Sequence, residues 1–111
     1  MNNIDKVIRY TNLFELYNSF LSTTQSEIIS SYFLYNLSIS EIAINKNISR
    51  SAVEDALKKG MNKLDECEEK LHLLKRNEEL IAKLENIKKK ALNLDEVKEI
   101  EDIEEIIYHG I

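Results

Sequence analysis

The sequence predicts an all-α protein, and three observations support that fold class. The 111 residues include no proline and only two glycines, whereas sandwiches and barrels of short strands need both residues in their many tight turns. Leu, Ile, Glu and Lys dominate the composition, which favours helices. Apolar residues recur every three or four positions along most of the chain, which is the periodicity of amphipathic helices.

The chain is long enough for one domain, or for one domain with an appendage. We predict a compact helical domain over residues 1–75 and a helical extension with an acidic end over residues 76–111. No apolar run approaches the ~18 residues that a membrane span needs, and the N-terminus lacks the pattern of a secretory signal. A single cysteine, Cys67, excludes an intramolecular disulfide and a cysteine-based metal site, so we expect a cytoplasmic protein.

Two helices are predicted before residue 36. Apolar side chains at helical spacing predict the first helix over residues 5–20. Residues 22–24 are Ser-Thr-Thr and end this helix, because short hydroxylated side chains favour helix caps over helix interiors. The second helix is predicted over residues 24–35, with apolar and aromatic side chains facing inward.

Residues 38–63 have the pattern of a helix-turn-helix. Ser38 and Glu41 have the spacing of a capping box, which opens a short helix. Asn47 is predicted to take the left-handed backbone conformation of the turn, which asparagine tolerates better than most residues. Ser49 then caps a second helix, whose first residues would be offered to a major groove.

The predicted nucleic-acid contacts lie in the second helix of this motif. Hydroxyl, guanidinium and ammonium groups donate hydrogen bonds to phosphates or to base edges. Glu54 and Asp55 lie in the same helix and oppose tight DNA binding, because carboxylates repel phosphate. The residues with suitable donors are Ser49, Arg50, Ser51, Lys58 and Lys59.

A seam of apolar residues close to a heptad repeat continues beyond the motif. It predicts one long helix, or two helices hinged at Arg76 and Asn77, before a last helix over residues 94–108. An intramolecular hairpin and a homodimer would each bury the seam; we expect the homodimer, because so small a domain gains stability from a partner. The predicted seam residues are Leu57, Met61, Leu64, Leu71, Leu74, Leu80, Leu84 and Ile87.

The charge of the chain is concentrated near its C-terminal end. The net charge is −5, and residues 95–105 alone carry seven acidic residues against one lysine. The rest of the chain is nearly neutral and offers no strongly basic domain as an argument for nucleic-acid binding. We interpret the acidic segment either as a solvated helix face or as a competitor for a basic surface. Residues 88–90 are three lysines that we expect to be solvated, and their alternative is to pair with the acidic segment.

No pattern typical of catalysis is present. The sequence contains no recognisable Ser-His-Asp set, phosphate-binding loop or carboxylate constellation. His72 and His109 are too far apart and too isolated to indicate a metal site. We therefore predict a protein that is not an enzyme and that has no cofactor and no metal.

Several segments resemble the YlxM family in order and spacing, over about residues 7–91. Family members are small helix-turn-helix proteins of low-GC Gram-positive bacteria and mycoplasmas, and they look like the DNA-binding fourth region of sigma factors. Their gene neighbours encode the GTPase of the signal recognition particle. The resemblance implies an accessory role in co-translational targeting, through the RNA of the particle or its GTPase, and it does not extend to the acidic end. The segments are Tyr10–Tyr17, Leu21–Tyr35, Leu37–Ala43, Ile48–Val53 and Glu66–Leu71.

Three functions are compatible with these observations. The first, which we favour, is an accessory factor of the signal recognition particle that contacts phosphate through Arg50 and the nearby lysines and binds the particle's RNA, its GTPase or both. The second is a transcription regulator that binds duplex DNA. The third is an interaction module that binds only protein.

Overall fold

The computed structural model describes residues 3–109, and every regular element within that range is a helix. The all-α fold class predicted from the sequence is therefore confirmed. The helices divide into two compact units, the first ending at His72 and the second beginning at Leu73. None of the described helices is both long enough and apolar enough to cross a membrane.

The described part of the first unit, from residue 3 onward, contains four α-helices. The helix predicted over residues 24–35 changes its winding in the second half, because the N–H of Tyr35 donates to the carbonyl of Ser30, five residues earlier, at 3.1 Å. The π-helical turn formed in this way carries Phe33, which stacks on Tyr10 with ring centroids 5.3 Å apart. The helices are α1 (Asn3–Tyr17, followed by a 3-10 turn over Asn18–Phe20), α2 (Thr23–Ile29, followed by the π-helical turn over Ser30–Leu34), α3 (Ile39–Lys46) and α4 (Arg50–Leu71).

The core of the first unit lies where α4 packs against α1, α2 and α3. Each helix contributes apolar residues at helical spacing, so that one stripe of each is removed from water. This packing buries Val53 and the core-facing side chains in the C-terminal two thirds of α4. The other side chains in the first turn of α4 remain exposed. The largest fully buried side chains are Tyr17, Leu13, Ile28, Ile29, Ile42, Leu64 and Val53.

Hydrogen bonds between polar side chains join α1 to α4. Asp65 accepts a hydrogen bond from Arg9 at 2.9 Å and another from the hydroxyl of Tyr10 at 2.7 Å. The hydrogen bond to Asp65 raises the pKa of Arg9, which stays charged. One turn further along α4, Glu68 accepts a hydrogen bond from the hydroxyl of Tyr17 at 2.7 Å. These bonds fix the position of α1 along α4.

The second unit is an antiparallel hairpin of α5 (Leu73–Lys88) and α6 (Leu94–His109). The predicted hinge at Arg76 and Asn77 is wrong, because α4 ends instead at His72, which adopts a left-handed conformation with φ 56°. Asn77 lies inside α5 and reaches across the hairpin, where its Nδ2 donates to the carbonyl of Ile107 at 3.4 Å. The asparagine that suggested a turn therefore joins two helices.

The interface between α5 and α6 contains one buried carboxyl group. The side chain of Glu104 is almost fully buried, and its Oε2 has no hydrogen-bond partner among the described residues. Its Oε1 lies 3.8 Å from the ammonium of Lys88, which also lies 3.3 Å from Glu101 and 3.8 Å from Glu85. Burial, followed by a hydrogen bond with Glu85, raises the pKa of Glu104, while Lys88 lowers it. The lysine that the sequence offered as a partner for the acidic segment does contact it.

We expect Glu104→Gln to stabilise the hairpin at neutral pH and to reduce its pH dependence. A carboxyl group whose pKa is raised by folding stabilises the folded state below the ordinary pKa of about 4.3 and loses that contribution as the pH rises through the folded pKa. Glutamine keeps the shape of the side chain and removes the charge. Hydrogen exchange of α5 and α6 amides, corrected for the intrinsic rate at about pH 5 and about pH 7.5, should show slower exchange in the variant at the higher pH.

Glu105, an exposed residue of α6, provides a matched control on the same helix. Glu105→Gln also removes one carboxylate from α6, but from a solvated position, and should leave the exchange rates nearly unchanged. Faster exchange in Glu104→Gln at the higher pH would show that the ionised Glu104 stabilises the hairpin and would contradict the prediction.

Candidate nucleic-acid interface

The first helix of the predicted helix-turn-helix is α3, which begins with the capping box expected from the sequence. The hydroxyl of Ser38 accepts a hydrogen bond from the N–H of Glu41 at 3.1 Å, and the carboxylate of Glu41 accepts one from the N–H of Ser38 at 3.0 Å. The hydrogen bond from this backbone N–H lowers the pKa of Glu41. At the other end of α3, Lys46 forms an ion pair with Glu27 of α2. Both ends of the short helix are therefore fixed.

The turn between α3 and α4 has the predicted conformation. Asn47 takes φ 54° and ψ 48°, in the left-handed region, and the N–H of Ile48 bonds to the carbonyl of Ala43 at 3.1 Å. Ser49 then caps α4, because its hydroxyl oxygen accepts from the N–H of Ala52 at 3.0 Å and its carbonyl accepts from the N–H of Val53 at 3.2 Å. The helix-turn-helix geometry inferred from the residues is present.

The first turn of α4 is exposed and carries hydrogen-bond donors suited to an anion. Arg50 and Ser51 are both exposed, and their backbone N–H groups lie before the capped Ala52, where a helix leaves donors unpaired. The positive end of the helix dipole favours a phosphate at this place. An open groove of about 580 Å³ adjoins it, and its lining comprises Ser40, Ala43, Ile44, Asn47, Ile48, Ser49 and Arg50.

The two lysines predicted to contact nucleic acid lie about two turns further along α4. Lys58 is seven residues from Ser51, which places both side chains on the same exposed face of the helix. Lys59 forms an ion pair with Asp55 at 3.0 Å, so its charge is already partly neutralised. The first-turn residues thus lie together, whereas the two lysines lie further along the helix and the charge of Lys59 is partly neutralised. The ion pair could have been anticipated, because an aspartate four residues before a lysine has the spacing of a helical ion pair.

The structure also shows two groove residues that the sequence reasoning did not select. Ile44 is 78% exposed and, with Ser40, lines the groove from the α3 side. An apolar residue at helical spacing is ordinarily assigned to a core, so nothing in the pattern identified Ile44 as a surface residue. The groove therefore combines an exposed apolar side chain with Arg50.

The predicted apolar seam is divided between the two units, because the chain leaves the helical path at His72. Leu57 and Leu64 are buried in the first unit, and Met61 is half-buried there. In the hairpin Leu74 is buried and Leu84 half-buried. The exposed members of the seam are Leu71 at 50%, Leu80 at 41% and Ile87 at 57%.

The described part of the chain does not bring together the side chains of a metal site. Between residues 3 and 109, no three His, Cys, Asp or Glu side chains lie close enough together to hold a metal ion. Cys67, the single cysteine, is buried in α4. The arrangement that the structure does bring together is a set of donors at the start of α4.

Comparisons with known proteins agree with this geometry. The model of the family UPF0122, described as "Putative helix-turn-helix protein, YlxM / p13 like", matches residues 4–106. The match includes most of the acidic helix α6, so the expectation that the family resemblance stops near residue 91 is wrong. The description names a helix-turn-helix protein and no enzymatic activity.

Individual relatives extend over most of the chain. A UPF0122 protein of Fusobacterium nucleatum is 36% identical over 104 residues, which cover 94% of each chain. One of Mycoplasma capricolum is 36% identical over 107 residues, 96% of this chain and 93% of the relative, and one of Thermoanaerobacter pseudethanolicus is 40% identical over 85 residues, 77% of this chain and 73% of the relative. No solved structure has a significant match. The chain belongs to the UPF0122 family of YlxM/p13-like helix-turn-helix proteins.

Proposed function

We propose that this protein is a non-enzymatic, cytoplasmic accessory factor of the signal recognition particle. In this proposal the helix-turn-helix binds the particle's RNA, another surface binds its GTPase, and the protein acts as a homodimer. The observation that carries the proposal is the exposed first turn of α4, where Arg50 and Ser51 lie beside an open groove. Membership of a helix-turn-helix family supports the use of this turn on nucleic acid.

The charges on α4 favour contact with phosphate over the reading of bases in a duplex. Insertion of α4 into a DNA major groove would bring Glu54 and Asp55, both exposed, towards the groove walls. Contact through the first turn alone avoids this repulsion. The deep, narrow major groove of A-form RNA excludes a helix, and RNA is recognised instead at phosphates, loops and ends. RNA therefore suits a helix whose donors are confined to its first turn.

A transcription regulator that binds duplex DNA is the second candidate. The capped two-helix geometry and the family description favour it, because the second helix of such a motif ordinarily enters the major groove. This candidate requires a preferred duplex sequence, with each well-read base contributing roughly 1–3 kcal/mol. A module that binds only protein is the third candidate, and the exposed Ile44 in the groove favours it.

We expect Arg50→Ala to weaken binding to the RNA of the signal recognition particle by at least about tenfold. A hydrogen bond from a charged group contributes about 1.5–3 kcal/mol, and about 1.4 kcal/mol corresponds to a factor of ten. Binding is measured against the particle's RNA, random duplex DNA of similar length and the purified GTPase, from low to near-physiological salt. The affinity for RNA should fall steeply with salt, because phosphate binding releases counterions.

Lys70→Ala is the matched control. Lys70 is an exposed cation on the same helix and lies twenty residues from Arg50, about 30 Å along the axis. Its removal lowers the net charge equally and should change RNA affinity little. Equal losses in the two variants would show a nonspecific charge effect and would contradict a site at the first turn. Tight binding to one duplex DNA sequence would instead favour the regulator, and binding to the GTPase alone would favour the protein module.

A further inference from the structure

The hairpin of α5 and α6 has two different flanks. The side chains between the helices lie at alternating spacings of three and four residues, which is a heptad pattern. Glu85 of α5 and Glu101 of α6 both approach Lys88, at 3.8 Å and 3.3 Å, so these carboxylates mark one flank. The inward positions are Leu74, Asn77, Ile81, Leu84 and Lys88 on α5 and Val97, Ile100, Glu104 and Ile107 on α6.

The opposite flank is apolar and exposed. Leu80 and Ile87 are seven residues apart on α5 and follow the inward stripe on the side away from Glu85. In an antiparallel helix pair the equivalent positions of the second helix border the same flank, and on α6 these are Ile103 and, at the first turn, Glu96. Ile106 continues the surface one turn later. The exposed fractions are 41% for Leu80, 57% for Ile87, 47% for Ile103 and 53% for Ile106.

The hairpin buries little apolar surface of its own. Among its described residues only Leu74 and Ile100 are buried apolar side chains. A unit of this size needs oligomerisation or another staple to be stable, and helix pairs with an open apolar flank are ordinarily completed as four-helix bundles. The apolar flank therefore requires a partner.

The edges of the apolar flank carry opposite charges. Beyond Leu80 and Ile87, the outer edge of α5 carries exposed basic side chains at intervals of seven residues. Beyond Ile103, the outer edge of α6 carries exposed carboxylates, of which Asp102 is also paired with Lys98 at 3.4 Å. The basic edge comprises Arg76 and Lys83, with Lys90 in the turn that follows α5, and the acidic edge comprises Asp95, Glu99 and Asp102.

We propose that a second copy of this chain covers the apolar flank, with α5 of each copy packed against α6 of the other. A two-fold axis parallel to the helices produces this arrangement, and it brings the basic edge of each copy to the acidic edge of its partner. A two-fold axis perpendicular to the helices would place α5 on α5 and the basic edges together, which like-charge repulsion disfavours. The inference rests on the homodimer of the proposed function and adds its surface and its symmetry.

The first test is the mass of Ile87→Glu in solution. Light scattering of the full chain at micromolar concentration should give twice 13.0 kDa for the unchanged protein and 13.0 kDa for the variant. Circular dichroism at the same concentration reports whether the variant chain as a whole keeps its helices. Ile44→Glu is the matched control, because this isoleucine is 78% exposed but lies in the first unit, and it should leave the dimer intact. A 13.0 kDa mass for the unchanged protein would overturn the proposal.

The second test reverses charges across the proposed interface. Lys83→Glu should raise the dimer dissociation constant at least about tenfold, which corresponds to about 1.4 kcal/mol. Adding Glu99→Lys to the same chain should restore dimerisation, because each edge then again meets an opposite charge. Tighter dimerisation of Lys83→Glu would show that α5 packs on α5 and would overturn the proposed symmetry.

RNA binding by the same variants separates the two proposals. Ile87→Glu should keep the contact at Arg50, so that a monomer that still binds the particle's RNA supports both inferences. A Lys83→Glu chain that remains a dimer but loses RNA affinity would show that the basic edge contacts phosphate and would overturn the dimer surface. Loss of RNA binding in Arg50→Ala leaves the dimer test unaffected, because position 50 lies in the first unit.

Discussion

Replacing Leu64 with alanine is expected to lower the free energy of unfolding of the first unit by about 3 kcal/mol. Leu64 is fully buried at the middle of α4, where this helix packs against α1 and α2. The substitution removes three buried carbon atoms and leaves a cavity, because a core closed by several helices cannot collapse around the smaller side chain. With a stability of about 5–15 kcal/mol for a whole domain, this loss is a large fraction of the total.

The measurement is urea unfolding combined with hydrogen exchange. Amides of α1 to α4 should lose protection together, whereas those of α5 and α6 should change little, since they belong to a separate compact unit. Lys63→Ala, at the exposed neighbouring position, is the control and should change stability by less than about 0.5 kcal/mol. A loss of protection spread equally over both units would contradict the division at His72.

Replacing Gly60 with valine is expected to destabilise the first unit by about 2 kcal/mol, the cost of overpacking a core. A β-carbon at position 60 would lie 2.9 Å from Cγ1 and 3.1 Å from Cδ1 of Ile29. Because Ile29 is itself fully buried, it has no free space into which to move. Glycine therefore permits the close approach of α2 to α4, and the ordinary gain of about 1 kcal/mol from replacing a helical glycine with alanine is not expected here.

Thermal unfolding followed by circular dichroism tests this expectation. Asn62→Val is the control, because it introduces the same β-branched side chain into α4 at an exposed position and costs only helix propensity. Gly60→Ala should fall between the unchanged protein and Gly60→Val. An increase in melting temperature for Gly60→Ala would show that Ile29 moves aside and that the contact is not limiting.

Features set by neighbouring residues could be predicted from the sequence. The capping box of Ser38 and Glu41, the left-handed Asn47 and the cap at Ser49 each depend on a hydrogen bond or a dihedral preference within about four residues. The structure confirms all three. They are also the features that build the turn between α3 and α4, so the geometry of the candidate site was largely accessible from local pattern.

Features set by distant residues could not be predicted in the same way. A heptad pattern indicates that Leu74, Leu80 and Ile87 pack against helices, but it does not say whether the helix belongs to the same chain. The break at His72 has no proline or glycine to mark it, and Asn77 was a better turn former in isolation. Asn77 stays helical because its side chain finds a partner on α6, which is a tertiary contact.

The polar groups inside the hairpin determine which alignment of its helices is lowest in free energy. Apolar side chains in a heptad repeat pack almost equally well after a slip of seven residues, so a seam made only of leucine and isoleucine would allow competing alignments. Lys88 meets Glu101 and Glu104 in one register only, and a slipped helix would leave the buried carboxyl group of Glu104 without its cation. Glu104 thus lowers the stability of the hairpin but widens the energy gap to its misaligned forms, which makes the folded state unique.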